Sequence, residues 1–481
     1  MAELVEGYGK VHPHMLEMTE NDLVAIKALI DQKDYQTAQR LLNSYLYDYP
    51  LDEKALFLLG RILLSTENYF QAIITFDWLR KEYGERVEVL VNLMHSYSRA
   101  TLYTEAVSVA NAILEIDPDN KQAAIMISTC NIQLGNYELS IEQADAVLEK
   151  HPEAVQARIN KGFANLHLRN YGEGWKYYDE GMGYLHWRDV HCYVGEPRWD
   201  GRVGKDVHVL VYSEQGIGDQ VAGIEPLRDL MEQVTVVALD CDPKMRKWFR
   251  VNFPGLLVLE TEKGHPVPLP EDTRIDFSAP LFSLHKYLRR AESDYSKKPF
   301  LKPDPDLSIG WKAILQAKAA GRPIIGLSWS GGGVMTGKQH RRINVDDFAP
   351  LFENLNAYYV SLEYRDRTEE IEHIRQKYGV DIDHFDAAMS TNYNDVAALL
   401  SAVDYFIAPP TAAVHAAGAM GVRTFCIVHK VPNIHYASFG DSMPYYGSVH
   451  LLRRPGREDK EVIGSIADII NGDARVRRYA T

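Results

Sequence analysis

Apolar and small residues recur along the first third of the chain with a fixed period of 34 residues. Each copy has a tyrosine and, three residues later, a small residue: Tyr35 and Ala38, Tyr69 and Ala72, Tyr103 and Ala106, Tyr137 and Ser140, Tyr171 and Gly174. Pro50, Pro118 and Pro152 keep the same register, with Gly84 in the remaining place. The tyrosine would fill the gap between two helices, the small residue lets them approach, and the proline ends the second helix. The pattern predicts five helical hairpins over residues 20–182.

This array resembles tetratricopeptide repeats, preceded by a tail at residues 1–19. Leu59-Gly60 and Leu134-Gly135 add further pieces of that pattern, although the second pair lies just before its tyrosine. Stacked repeats leave a concave groove, so we expect the groove to bind a protein segment. A spacer or an oligomerisation surface is the alternative, and oligomerisation stays open.

After a connector at residues 183–206, short apolar runs alternate with helical patterns. Strands are expected at 207–212, 235–239, 256–260 and 276–281 of a first α/β lobe (207–308), with a helix running from Asp219 through Ile224 and Leu227. A proline-rich stretch, 299–307, marks the lobe boundary. A second lobe (309–460) has expected strands at 324–330, 358–362, 403–407 and 423–428. The predicted fold is a helical superhelix followed by two Rossmann-like lobes, and an amphipathic helix and tail (461–481) close it.

Composition narrows the class of protein. The chain has 52 basic and 66 acidic residues, which gives a formal net charge of −14. This charge argues against a nucleic-acid partner. Four widely spaced cysteines without a CxxC pattern predict neither disulfides nor zinc. No apolar run reaches membrane-span length, and the N-terminal stretch lacks the apolar core of a signal peptide. We expect a cytoplasmic protein.

Two segments carry candidate chemistry. The first follows the 207–212 strand and contains Glu214, Gly216, Gly218 and Asp219. Because open α/β sheets bind ligands outside the carboxyl ends of their strands, this edge is a candidate site. The alternative is a simple turn in which Asp219 caps a helix.

The second segment starts a helix at Thr411, after Pro409 and Pro410. Thr411 is expected at the N-cap, and the first-turn N–H groups of that helix favour a diphosphate. Ala412 and Ala413 let the backbone approach a ligand. A tightly packed internal helix is the alternative.

Together these motifs resemble glycosyltransferases of the heptosyltransferase-like GT-B type. The resemblance rests on SEQGIGD (213–219), IGLSWSG (325–331) followed by Arg341-Arg342-Ile343, YVSL (359–362) and VDYFIAPPTAAVHAAGAMG (403–421). The segment PRWDG (197–201) is also similar to one in repeat-bearing glycosyltransferases, and O-linked N-acetylglucosamine transferases are a more distant architectural analogue. The resemblance implies an inverting, metal-independent transferase. Its first lobe would bind the acceptor and its second lobe a nucleotide-sugar, which is a co-substrate; no other cofactor is expected.

The resemblance also implies residue roles. Asp219 would be the general base, with Glu214 as the second candidate. The implied donor-binding residues are Gly216, Gly218, Ser330, Lys338, Arg341, Arg342, Thr411, Ala412, Ala413 and His415. Lys338, Arg341 and Arg342 would neutralise the leaving diphosphate. The alternative for these three residues is a solvated basic loop. The alternative for His415 is a histidine that is satisfied within the core. No metal ligands are predicted, because the DxD letters at 381–383 fall just after a helix.

One departure from the family pattern keeps other functions open. Pro410 stands where the family usually has an acid, and residues 432–436 and 444–446 replace a Trp-rich segment. The aromatic residues there would either stack on a base or sugar or simply pack. A transferase acting on a polysaccharide or a nucleic acid base is one alternative, and an inactive scaffold that binds protein partners is another.

Overall fold

The structure, a computed structural model, describes residues 20–184, 188, 190–260, 269–270, 273–332, 341–454 and 458–473. The chain divides into two compact units, with the boundary between Ala164 and Asn165. Among the described residues, no helix is long and apolar enough to cross a membrane.

The described part of the first unit is a series of antiparallel helices at the predicted spacing. They are α1 (Glu20–Asp31), α2 (Tyr35–Asp48), α3 (Glu53–Ser65), α4 (Tyr69–Tyr83), α5 (Val87–Arg99), α6 (Tyr103–Ile116), α7 (Lys121–Leu134), α8 (Tyr137–Lys150) and α9 (Val155–His167), in which the boundary falls. The repeated tyrosine is the first residue of α2, α4, α6 and α8. Each register proline lies two residues beyond the end of a helix, as predicted.

The small residue of each repeat is completely buried. Ala38, Ala72, Ala106 and Ser140 have no exposed surface, so neighbouring helices meet at these positions. The first three tyrosines are half-buried and Tyr137 is buried. The small residue is therefore the more stringent part of the pattern.

A second feature with the same period was not predicted. Lys33, Glu67, Thr101 and Gly135 all have a positive φ, between 63° and 85°, and each lies just after the first helix of its hairpin. A left-handed residue of this kind ends a helix and satisfies its last carbonyl groups. Gly135 is thus the left-handed residue of the fourth hairpin. This role explains why Leu134-Gly135 lies just before its tyrosine.

The second unit begins with the end of α9 and with α10 (Tyr171–Asp179), which packs on the first α/β region. That region has four parallel strands, β1 (Gly204–Tyr212), β2 (Val234–Cys241), β3 (Leu257–Glu260) and β4 (Phe277–Pro280), in the order β3-β2-β1-β4. Its helices are α11 (Ile217–Gly223), α12 (Leu227–Gln233), α13 (Arg246–Asn252) and α14 (Leu281–Leu288).

The helix predicted through Ile224 and Leu227 is two helices. Pro226 lies between them and cannot donate a backbone hydrogen bond, so α11 ends at Gly223 and α12 starts after the proline. β1 also begins at Gly204, three residues before the predicted start.

Within the described residues, the second sheet has six parallel strands. They are β5 (Ile324–Leu327), β6 (Tyr358–Ser361), β7 (Ile382–His384), β8 (Tyr405–Ala408), β9 (Thr424–Val428) and β10 (Val449–Arg453). Their order is β10-β9-β8-β5-β6-β7, so the winding reverses between β5 and β8. Such a reversal leaves a crevice at the carboxyl ends of the two strands. β7 and β10 were not predicted; β7 is three residues long.

The α-helices described around this sheet are α15 (Pro305–Ala319), α16 (Ala349–Asn354), α17 (Thr368–Tyr378), α18 (Tyr393–Leu400), α19 (Ala412–Met420) and α20 (Asp459–Gly472). α15 starts inside the proline-rich stretch, because Asp304 caps it and Pro305 tolerates the first helical position. In α20, Val462, Ile463 and Ile466 are fully buried in the same core cluster as residues of the sheet. The chain is therefore a helical repeat array followed by an α/β region with parallel sheets.

Candidate functional site

The two candidate segments lie against each other. A Cβ added to Gly218 in α11 would be 3.2 Å from Ala412 Cα and 3.2 Å from His415 Cδ2 in α19. Because the nearest atom is backbone, a side chain at Gly218 would force α19 to shift by a few tenths of an ångström. α11 follows β1 and α19 follows β8, so the carboxyl ends of strands from the two sheets meet here.

Asp219 lies at this contact as the third residue of α11. Its side chain is 32% exposed, and its Oδ1 is 2.9 Å from Nε2 of His435. Oδ2 has no hydrogen-bond partner among the described residues. The N-cap of α11 is Gly216, so Asp219 is not the cap considered as the alternative.

The surroundings keep Asp219 ionised. Burial alone would raise the pKa of its carboxyl group, but the hydrogen bond and charge of His435, together with the charge of Arg341, leave that pKa below its ordinary value. A carboxylate that is ionised and partly open can accept a proton. This is the property that a general base requires.

His435 connects Asp219 to a buried phenol. The imidazole is 3% exposed, and its Nδ1 is 3.1 Å from the hydroxyl group of Tyr445. The ring also stacks on Phe282, with 5.3 Å between ring centroids. His435 and Asp219 are 216 positions apart, so no local sequence pattern could have paired them.

His415 is enclosed by tyrosines. Its Nδ1 lies 3.1 Å from Tyr446 Oη and its Nε2 lies 3.2 Å from Tyr436 Oη. Burial, with the nearby charge of His435, lowers its pKa to about 3, so the imidazole is neutral. With both nitrogens occupied, the structure favours the alternative of a satisfied core histidine.

The basic segment brings Arg341 rather than Arg342 to the site. A backbone bridge joins Arg342 to Ser330 after β5. Arg341 is close enough for its charge to lower the pKa of both Asp219 and His415. The Arg342 side chain is 65% exposed and faces Glu370, 3.6 Å away. Lys338 lies outside the described residues.

Thr411 occupies the N-cap position of α19 without capping it through its side chain. Its Oγ1 is buried and has no hydrogen-bond partner among the described residues. A Cβ on Gly331 would be 2.6 Å from Thr411 Cγ2, so the chain after β5 passes directly against this threonine. The first N–H groups of α19, those of Ala412 and Ala413, precede its internal hydrogen bonds and remain for a ligand.

Ser330 belongs to a buried network that the sequence did not reveal. Its hydroxyl group donates to Glu363 Oε2 at 2.6 Å, and Arg367 Nε donates to the same carboxylate oxygen at 3.0 Å. Glu363 is fully buried and also accepts from the backbone N–H groups of Trp329 and Ser330. The network fixes the β5 loop. The available signal was a lone glutamate at the end of an apolar strand.

Glu214 is enclosed. Its side chain is 1% exposed and lies 3.3 Å from the buried guanidinium of Arg188, which stands over the Tyr178 ring. Burial raises the pKa of Glu214, against the effect of Arg188. Its carboxylate is used inside the fold, which favours Asp219 of the two candidate bases.

The aromatic residues after β9 are also part of the core. Tyr436, Tyr445 and Tyr446 are at most 2% exposed, so they pack and are not available to stack on a base or sugar. Of the DxD letters, Asp381 pairs with Arg375 and Asp383 with Lys318. In the described residues there is no group of three potential metal ligands.

Comparisons with known proteins support the repeats. A family model described as tetratricopeptide repeat matches residues 23–85 and 131–181, which confirms repeats in this region. Protein FlbA of Caulobacter vibrioides is 26% identical over 269 residues, which is 53% of this chain and 45% of FlbA. The match thus spans less than half of that relative.

Solved structures of repeat proteins resemble part of the chain. One from Parabacteroides merdae is 21% identical, with 33% of this chain and 64% of that chain covered and a TM-score of 0.30. One from Thermus thermophilus is 17% identical, with coverages of 34% and 86% and a TM-score of 0.29.

Proposed function

We propose that this chain is a glycosyltransferase that moves a sugar from a nucleotide-sugar to a hydroxyl group of a protein recruited by the repeats. The observation that carries the proposal is the meeting of Asp219, an ionised and partly open carboxylate, with the start of α19 and Arg341. A proton acceptor next to an anion-binding helix terminus is what transfer from a nucleoside diphosphate sugar needs. The GT-B arrangement of two Rossmann-like lobes is part of this proposal, and the strand order of the second sheet supports it.

In the proposed reaction, the acceptor oxygen attacks the anomeric carbon while the bond from that carbon to the diphosphate oxygen breaks. Oδ2 of Asp219 takes the proton of the acceptor hydroxyl group. Attack on the face opposite the diphosphate inverts the anomeric configuration. A base of this kind contributes roughly 10²–10⁴-fold to the rate.

The leaving diphosphate would be held by protein groups without a metal. The free N–H groups of Ala412 and Ala413 and the positive end of α19 favour an anion, and Arg341 supplies a full charge. Gly331, packed against Thr411, lets the backbone after β5 approach the same crevice. Ser330 supports this wall through Glu363.

The repeats supply the argument for a protein acceptor. Tetratricopeptide arrays present a concave groove along stacked hairpins and are protein-interaction modules. We propose that the groove holds the acceptor protein, which raises the local concentration of its hydroxyl groups near the transferase.

A scaffold without transferase activity is the second candidate. Pro410 in place of the usual acid and the enclosure of His415 favour it. A thermal-shift screen of the whole chain against nucleoside diphosphates and nucleotide sugars separates the two. A ligand that binds the folded state stabilises it by about 2.7 kcal/mol at a hundredfold excess over its dissociation constant. A shift identifies the donor class; no shift with any nucleotide would refute the transferase and leave the scaffold.

A further inference from the structure

A hydrogen-bonded chain runs from the candidate base into the core. Asp219 Oδ1 meets His435 Nε2 at 2.9 Å, and His435 Nδ1 meets Tyr445 Oη at 3.1 Å. His435 and Tyr445 are both almost completely buried, whereas Asp219 is partly open. This series of hydrogen bonds therefore leads from the crevice to the interior.

The positions of the protons in these hydrogen bonds follow from the carboxylate of Asp219 and the phenol of Tyr445. A carboxylate can only accept hydrogen bonds, so Nε2 of His435 carries the proton that faces Asp219. In the neutral form of the imidazole, Nδ1 is then an acceptor. Burial raises the pKa of Tyr445 well above its ordinary value, so its phenol keeps the proton and can donate to Nδ1. Tyr445 thus favours the tautomer of the neutral ring that carries its proton on Nε2 and donates to Asp219.

The segment that carries His435 is held firmly. His435 lies in a short 3-10 helix, Ile434–Tyr436, which is capped by Asn433. Arg169 donates to the carbonyl oxygens of Phe439 and Ser442, at 3.2 and 2.6 Å. Arg453 donates to the carbonyl oxygens of Tyr436 and Phe439, both at 2.9 Å. The ring therefore has little freedom to leave Asp219.

Other groups face Asp219 but make no such contact. The charge of Arg341 acts on it, and His415 from α19 lies with its ring 5.4 Å from that of His435. Tyr178 of α10, Tyr436 and Tyr446 are the further titratable groups that interact with its charge. Of these groups, His435 is the one whose hydrogen bond fixes a carboxylate oxygen.

We propose that His435, set by Tyr445, is the positioning residue of the general base. It holds Oδ1 of Asp219 so that Oδ2 faces the acceptor hydroxyl group, and it keeps the carboxylate ready to accept a proton. This inference rests on the proposed transferase function. It adds a hydrogen-bonded Asp–His–Tyr unit that orients the carboxylate of Asp219 and keeps it ionised.

The test compares two substitutions of His435 in the full chain. His435→Leu removes both hydrogen bonds, so burial prevails and the pKa of Asp219 rises. Because the ionised form acts, the acid limb of the kcat/KM–pH profile should move to higher pH. On that limb kcat/KM falls about tenfold for each unit of pKa rise. His435→Gln keeps a donor near the position of Nε2 and should hold the limb close to its original place.

A measurement without substrate tests the effect of His435 on Asp219 separately from the proposed transfer. The carboxyl carbon of Asp219, assigned with Asp219→Asn, can be titrated by carbon-13 NMR. Its midpoint should be higher in His435→Leu than in the original chain and nearly restored in His435→Gln. An unchanged midpoint in His435→Leu would overturn the positioning role whatever happens to transfer. A shifted midpoint with no transfer from any donor would overturn the transferase alone.

His285→Phe is the matched control. His285 is another fully buried imidazole in the same aromatic layer, 5.3 Å from Phe282 between ring centroids, and it bonds to Tyr295. Its loss should leave the Asp219 midpoint in place. An equal shift in this variant would show that repacking, not the hydrogen bond, sets the carboxylate, and would refute the proposal.

Discussion

In the repeats, helices that touch are close in sequence, whereas the candidate site joins residues more than two hundred positions apart. α3 packs against α4, in which Ala72 is fully buried, and the same arrangement recurs 34 residues later with Ala106. Asp219 and His435 meet because two strands from different sheets end at the same place. A repeat array can therefore be predicted from its period, while an α/β site depends on contacts that no local pattern encodes.

The largest expected effect lies on the α/β side of this comparison. Asp219→Asn keeps the shape of the side chain and removes its ability to take a proton. Transfer should fall roughly 10²–10⁴-fold, while nucleoside diphosphate affinity, measured by calorimetry, stays nearly constant. Transfer that survives this change would mean that the base has been assigned wrongly.

The second effect separates two neighbouring arginines. Arg341→Ala should weaken nucleoside diphosphate binding by about 10- to 100-fold, as expected for loss of a charge-assisted hydrogen bond of about 1.5–3 kcal/mol. Arg342→Ala is the matched control, because its side chain is largely exposed and faces Glu370. Equal losses of calorimetric affinity in both variants would argue for a general effect of positive charge rather than a contact by Arg341.

This pair shows where sequence reasoning reached its limit. The resemblance implied that both arginines bind the donor. It did not indicate which of the two contributes more to binding. Their different surroundings follow from the bridge between Ser330 and Arg342. Similarly, Asp219 and Glu214 are both acids after one strand, and only the burial of Glu214 against Arg188 distinguishes them.

The repeats were predicted more completely because each copy repeats the same local requirement. The tyrosine marks the start, and the proline the end, of the second helix of a repeat. What the period missed was the left-handed residue before each tyrosine, since Lys33, Glu67 and Thr101 are not residues that normally reveal a positive φ. The conformation goes with the hydrogen bonds that close the preceding helix, such as the one from Asn68 N–H to the carbonyl oxygen of Leu63.

A third prediction tests the small position of the repeats. Ala72→Leu adds volume where no surface is exposed, and overpacking should lower the free energy of unfolding by about 1–3 kcal/mol. Amide hydrogen exchange of α4 peptides would measure the loss locally. Phe70→Leu is the control: Phe70 is 64% exposed, so the change should stay within about 0.5 kcal/mol. Similar losses in both variants would contradict the packing role.

The smallest effect concerns the left-handed positions. Glu67 has a φ of 64°, a conformation that costs a non-glycine residue roughly 1–2 kcal/mol. Glu67→Gly relieves this cost but gains entropy in the unfolded chain, so we expect a net stabilisation of about 0.5–1 kcal/mol, measured by exchange of α3 and α4. Glu142→Gly, in the interior of α8, should instead destabilise by about 0.5–1 kcal/mol.

The equivalent position in the second unit should behave oppositely. Arg169 has a φ of 62°, but it also pairs with Glu292 and donates to the loop that follows His435. In Arg169→Gly the relieved backbone strain is outweighed, because each lost charged hydrogen bond contributes roughly 1.5–3 kcal/mol. One substitution at two positions three periods apart should thus stabilise the array and destabilise the α/β unit. If both variants gained stability, Arg169 would be an ordinary repeat residue, and its hydrogen bonds would not be what holds the loop of His435.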